Sequence, residues 1–146
     1  MIIEGPLINA TFIERPNRFI TIIEINGELH RSHLPDPGRL KELLTPNAKL
    51  LVRPAPEASD RKTSFSTVMV EHKGQLISLV STLPNKFIDH ALKNNKIPIL
   101  RPYTIIRSEI TVKNHRFDFL LNDNKANKFY LEVKSVTLVE NGIAKF

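Results

Sequence analysis

Three polar side chains near the C-terminal end of the 146-residue chain have types and spacing suited to chemistry: Asp118, Glu132 and Lys134. In Arg116-Phe117-Asp118-Phe119-Leu120-Leu121, strand alternation turns Phe117, Phe119 and Leu121 one way and Asp118 and Leu120 the other. In Tyr130-Leu131-Glu132-Val133-Lys134-Ser135, Leu131 and Val133 share one face, with Glu132 and Lys134 opposite. A turn symmetric about Lys125 sets Asp118 across from Glu132 and Arg116 across from Lys134. Opposed residues on one face have Cβ atoms about 4.5–5.5 Å apart, and like charges there destabilise the sheet. Two carboxylates so placed need a proton, a cation or a basic neighbour. Mg²⁺ (or Mn²⁺) satisfies them, because it favours one or two carboxylates plus waters and phosphate oxygens. Lys134 on the same face would hold the attacking water or steady the charge developing on a phosphate. The spacing D…E-x-K thus describes a metal-dependent phosphodiester hydrolase. An ordinary half-solvated antiparallel strand reads the same way, and a slip of one residue would change which side chains share a face.

The elements that must position these residues fall into two groups. The first half reads as strands. Leu7–Glu14 and Arg18–Ile25 are joined by a turn at Arg15-Pro16-Asn17. Asn26-Gly27, a strong hairpin signal, leads into Glu28–Leu34. Asp36 as N-cap and Pro37 at the first helical position predict a short helix, whose apolar face is Leu40, Leu43 and Leu44. Strands resume at Lys49–Arg53, Phe65–Glu71 and Gln75–Ser81, the last two joined by His72-Lys73-Gly74. Three strands, a helix and more strands is the order of an OB-like barrel, with other small barrels also compatible. From Thr82 the texture changes. Asn85 reads as the cap of a helix of about ten residues with Phe87, Ile88, Ala91 and Leu92 as its buried stripe. Strands Tyr103–Val112, Arg116–Leu121 and Phe129–Val139 follow. The expected fold class is α+β, with domains at 1–82 and 83–146.

Composition narrows the partners. There are 21 Lys and Arg against 15 Asp and Glu, a net charge of +6. Residues 81–146 carry 11 basic and 6 acidic side chains, against 10 and 9 in residues 1–80. A basic domain attracts polyanions, and DNA or RNA is the commonest. The absence of cysteine excludes disulfides, Cys-based zinc sites and thiol nucleophiles. The N-terminus has no secretory pattern, and no apolar run approaches the ~20 residues of a membrane span. A cytoplasmic protein without a membrane partner is expected.

Among secondary candidates, Glu109 and Asp89 are alternative third carboxylates, though Glu109 is better explained as an ordinary ion-pairing residue and Asp89 as a solvated helical one. The helix start near Arg39 would offer free N–H groups to a phosphate, and His33 just before it could donate to the same anion. Arg61 and Lys62 lie in a loop suited to backbone contacts, and Arg116 borders the carboxylates. The five histidines have no metal-ligand spacing, and no Gly-rich phosphate loop is present.

The motifs His33-Leu34-Pro35-Asp36-Pro37-Gly38-Arg39, Arg61-Lys62-Thr63, Leu83-Pro84-Asn85, Arg116–Leu121 and Leu131–Leu138 occur in that order. Together they resemble the sugar fermentation stimulation protein A family, over nearly the whole chain. The resemblance implies an OB-like N-terminal domain followed by a restriction-endonuclease-like α/β domain similar to PD-(D/E)XK nucleases. It also implies DNA binding linked to regulation of sugar-utilisation genes, and nuclease activity on DNA or RNA. By the same resemblance Asp118 matches the motif aspartate, and Glu132 and Lys134 match its E-x-K. Family members continue past residue 146, so the second domain is expected to be partial. The edge of strand Phe129–Val139 would then be open or covered by a partner chain, as in a homodimer. A non-catalytic DNA-binding regulator is the alternative. A sugar- or protein-binding OB module is a third.

Overall fold

The computed structural model describes residues 3–56, 60–137, 139–140 and 143–145. It divides into two compact units, residues 82–135 and residues 2–81 with 136–146. No helix among the described residues is long and apolar enough to cross a membrane.

The first unit is built on β1 (Ile8–Asn17), β2 (Ile20–Ile25), β3 (Glu28–His33), β4 (Lys49–Pro54), β5 (Phe65–His72) and β6 (Gln75–Ser78). The strand order β3-β2-β1-β4-β5-β6, with a further β3–β5 pairing, closes five strands into an OB-like barrel. Closure is parallel, through Ser32↔Phe65 and His33↔Ser66. Two register shifts along β1 accompany its pairing with β2 on one side and β4 on the other, consistent with the sharper bend that bulges give a barrel strand. At the closing seam Thr21, Ser32 and Thr67 are fully buried. They satisfy one another, with Thr21 Oγ1–Thr67 Oγ1 at 3.0 Å and Ser32 Oγ–Thr67 Oγ1 at 2.8 Å. The interior is filled by Phe12, Ile23, Leu50, Val52, Val70 and Leu79 among others. The hairpin turns Asn26-Gly27 and Lys73-Gly74 each have two positive φ angles, 52° and 84° in the first and 52° and 75° in the second.

Three expectations for this half are corrected. β1 runs through the expected turn at Arg15–Asn17, and the chain reverses instead at Arg18-Phe19, where Asn17 Oδ1 accepts from the Phe19 N–H at 2.9 Å. The strand expected over Gln75–Ser81 ends at Ser78. The helix expected from Pro37 is absent. Asp36 Oδ1 accepts from the Gly38 N–H at 2.7 Å, a local turn bond rather than a helix cap. Leu40 has φ 52°, outside the helical region. The carbonyls of Asp36, Gly38 and Arg39, which a helix would need as acceptors, take hydrogen bonds from the Arg15 guanidinium at 3.3, 2.7 and 2.7 Å. Burial of Leu40, Leu43 and Leu44 is nonetheless as the apolar spacing requires. The leucines fill the barrel without a helix to carry them.

The second unit opens with α1 (Leu83–Lys93) and continues through a 3₁₀ turn at Pro98–Leu100 into β7 (Thr104–Val112), β8 (His115–Asn122) and β9 (Lys128–Leu131), a three-stranded antiparallel sheet. Leu92 of α1 packs with Phe119 and Leu121 of β8. Two side chains depart from the expected stripes. Phe87 is half exposed, and the Phe117 ring stacks on Tyr130 with centroids 4.9 Å apart. The β8–β9 turn is tied by Asp123, whose Oδ1 accepts from the N–H groups of Lys125 and Asn127 at 2.8 and 2.9 Å. The strand expected over Phe129–Val139 is much shorter, since β9 ends at Leu131; Leu138, inside that span, lies outside the described residues. Residues 136–146 group with the barrel unit, where Val136, Thr137 and Val139 line a cavity of about 370 Å³ with Leu43, His72 and Ile77. Two short strands, β10 (Val139–Glu140) and β11 (Ile143–Ala144), pair there.

Candidate functional site

The β8–β9 ladder runs Asn122↔Lys128, Leu121↔Phe129, Leu120↔Tyr130 and Phe119↔Leu131. This is the register of a turn symmetric about Lys125. Its continuation would set Asp118 across from Glu132, but regular pairing stops one step earlier. One side-chain bond replaces the next rung: Asp118 Oδ2 accepts from the Val133 N–H at 2.7 Å. That bond fixes the residue between Glu132 and Lys134, so the E-x-K segment is delivered to Asp118 by the carboxylate itself.

The other Asp118 oxygen is also engaged. Oδ1 accepts from Asn85 Nδ2, in the first turn of α1, at 2.6 Å. Asn85 therefore does not cap its helix. The N-cap is Thr82, without a side-chain cap bond, and the first turn carries no acidic residue of its own. Asp118 brings a negative charge to this helix start, where the aligned peptide dipoles favour an anion. The sequence offered a trace of this contact, since Asn85 stands in the Leu83-Pro84-Asn85 motif, but tertiary pairing to Asp118 carries no local signature.

Glu132 and Lys134 are exposed and paired, with Nζ to Oε1 at 2.5 Å. Lys134 is pushed above its ordinary 10.5 chiefly by the hydrogen bond to Glu132, then by the charge of Glu132, with a smaller contribution from the charge of Asp118. Asp118, Glu132 and Lys134 thus come together, with Asn85 as a fourth polar member. Asp118 and Glu132 supply hard oxygen donors of the kind Mg²⁺ and Mn²⁺ select, and two carboxylates suffice for an ion that keeps several waters. The donor set fits such an ion. No group of three or more His, Cys, Asp or Glu residues suited to a metal occurs among the described residues. Of the alternative third carboxylates, Glu109 lies across the ladder from Asp118 but pairs with Arg116 at 3.1 Å. Asp89 pairs with Lys93 one helical turn on, at 2.7 Å.

The candidate nucleic-acid contacts are divided between the units. Arg116 sits beside the carboxylates on β8, opposite Thr111, and ion-pairs with Glu109 rather than facing Lys134. His33 ends β3, partly buried and opposite Ile20. Arg39 is exposed, on the loop whose carbonyls Arg15 gathers. The helix-start anion site expected near Arg39 does not form, and the Gly38 N–H is taken by Asp36. Arg61 and Lys62 are exposed, with Arg61 reaching Ser66 Oγ at 3.5 Å.

Comparison with known proteins agrees with this architecture. The profile of the SfsA N-terminal OB domain matches residues 13–79, and that of the sugar fermentation stimulation protein RE domain matches residues 82–146. A sugar fermentation stimulation protein homolog of Acetivibrio thermocellus is 44% identical over 97% of this chain and 60% of its own length. Those of Clostridium botulinum and Moorella thermoacetica are 43% and 42% identical, over 100% and 96% of this chain and 63% and 60% of their own lengths. The chain thus spans about three fifths of the length of these relatives. Among solved structures, that of Pyrococcus furiosus SfsA in complex with Ca²⁺ superposes with a TM-score of 0.81 at 26% identity, covering 97% of this chain and 59% of that one. With both of its halves matched in order by the same family, the chain belongs to the sugar fermentation stimulation proteins.

Proposed function

We propose that the protein binds DNA or RNA and hydrolyses phosphodiester bonds with a divalent ion held by Asp118 and Glu132, in the manner of a PD-(D/E)XK nuclease, as part of regulating sugar-utilisation genes. The observation that carries the reading is the bond from Val133 N–H to Asp118, which brings Glu132 and Lys134 to the second carboxylate beyond the end of the strand pairing. The Ca²⁺ held by the Pyrococcus furiosus protein supports it, because Ca²⁺ and Mg²⁺ draw on oxygen donors of the same kind.

Each residue has a definable task. Asp118, oriented by two hydrogen bonds, presents a carboxylate whose remaining lone pairs are open. Glu132 is exposed enough to exchange its lysine partner for an ion. Lys134, whose charged form Glu132 favours in the ion-free protein, would orient water and steady charge on the phosphate. A bound Mg²⁺ or Mn²⁺ would supply Lewis-acid activation of the scissile phosphate. The basic surface, including Arg39, Arg61, Lys62, Arg116 and His33, would hold the backbone.

The test is cleavage of end-labelled DNA and RNA by the full-length protein in Mg²⁺ or Mn²⁺. Glu132→Ala is expected to abolish cleavage while leaving binding intact. A second reading, a DNA-binding regulator without catalysis, draws on the closed Glu132–Lys134 pair. Binding without ion-dependent cleavage would establish it instead.

A further inference from the structure

We propose that Asn85 is a positioning residue for the ion site: it locks the Asp118 carboxylate in one orientation before an ion arrives. The inference rests on the reading of Asp118 and Glu132 as the ion-binding pair. Its basis is the 2.6 Å bond from Asn85 Nδ2 to Asp118 Oδ1, made across 33 residues of sequence between α1 and β8. Val133 N–H holds the other oxygen at 2.7 Å. With one donor on each oxygen, the carboxylate plane is no longer free to turn, and about half of its four lone-pair sites stay open.

The chemical character of Asn85 suits this task. A lysine or arginine in its place would orient Asp118 but also neutralise it and compete with an incoming ion. A carboxylate would repel it. A neutral amide orients the aspartate without cancelling its charge. Asn85 stands in the first turn of α1, whose start has no acidic residue of its own, so the helix dipole favours the ionised form of the carboxylate that Asn85 holds. Groups that hydrogen-bond to a metal's carboxylate ligands typically tune affinity about 10- to 100-fold.

The experiment is calorimetric titration of Mn²⁺ into the wild-type protein, Asn85→Ala, Asn85→Leu, Asn85→Gln and Glu132→Ala, with a thermal melt of each in the absence of ion. Wild type is expected to bind Mn²⁺ and Glu132→Ala to lose binding. Asn85→Ala is expected to lose about tenfold or more in affinity, and Asn85→Gln, which keeps the amide on a longer arm, to recover part of it. Asn85→Leu, of similar size and without a donor, gives the same comparison should the alanine variant fail to fold. A melting temperature lowered in Asn85→Ala or Asn85→Leu with unchanged Mn²⁺ affinity would show a merely structural bond and overturn the proposal. Equal binding by wild type and Glu132→Ala, or no binding by wild type, would instead remove the Asp118–Glu132 site and this inference with it.

Discussion

Asp118 has two jobs that mutation can separate. It anchors Val133 and Asn85, and in the proposed site it offers negative charge to a cation. Asp118→Ala strips a part-buried acceptor from two donors and is expected to cost about 1–3 kcal/mol, measurable by urea unfolding. Glu132→Ala removes an exposed side chain and should leave stability nearly unchanged while removing ion binding. Lys134 makes a pH prediction. Because its folded value lies above the ordinary 10.5, the ion pair's contribution is fully present below that pH and is lost as pH rises through the folded value. In the ion-free protein the Lys134 amine should therefore stay charged between about pH 6 and 9. An NMR titration of its side chain without divalent ion checks this, and a titration step in that range would contradict it. At this scale the β8–β9 register that leads toward Asp118 and Glu132 was legible, because symmetry of the turn about Lys125 determines which positions lie across from each other. Asn85 was not, because a bond spanning 33 residues leaves no periodicity behind.

At the scale of elements, local chemistry was readable where it decides the backbone. Asn26-Gly27 and Lys73-Gly74 form the hairpins their sequences announce. Gly27 has φ 84°, and a Cβ added there would meet no heavy atom within 4 Å. Gly27→Ala therefore meets only the backbone penalty for left-handed geometry, about 1 kcal/mol. Thermal unfolding of that variant checks it. The segment after Pro35 misled for an opposite reason. Its leucine spacing is helical, but Arg15, far earlier in sequence, claims the carbonyls a helix would use. Arg15→Ala should loosen that loop, seen as faster amide hydrogen exchange around Gly38–Leu40 while the β2–β3 ladder keeps its protection. The overlong strand expected over Phe129–Val139 has a similar origin. Alternation in Leu131–Ser135 is real, yet just past Leu131 the chain is held through Val133 N–H by the Asp118 side chain rather than by further rungs to β8, and period alone does not distinguish the two.

For the molecule as a whole, the +6 charge and its concentration beyond residue 80 predict that the proposed nucleic-acid binding depends on salt. The logarithm of affinity should fall linearly with the logarithm of salt concentration. Lys62→Ala should weaken binding about equally for all sequences and reduce the slope by about one; an unchanged slope would remove Lys62 from the interface. Architecture was largely visible from sequence, since the strand order and turn signals specify an OB-like barrel and a helix-plus-sheet unit after it. The grouping of residues 136–146 with the barrel unit was not, because it depends on contacts that no short window records. The central claim is that Asp118 and Glu132 hold one divalent ion, and anomalous diffraction from crystals grown in Mn²⁺ tests it most directly. The expected result is a Mn²⁺ peak about 2.0–2.3 Å from carboxylate oxygens of both residues. Density that leaves Glu132 closed on Lys134, with no peak beside Asp118 at saturating Mn²⁺, would contradict it.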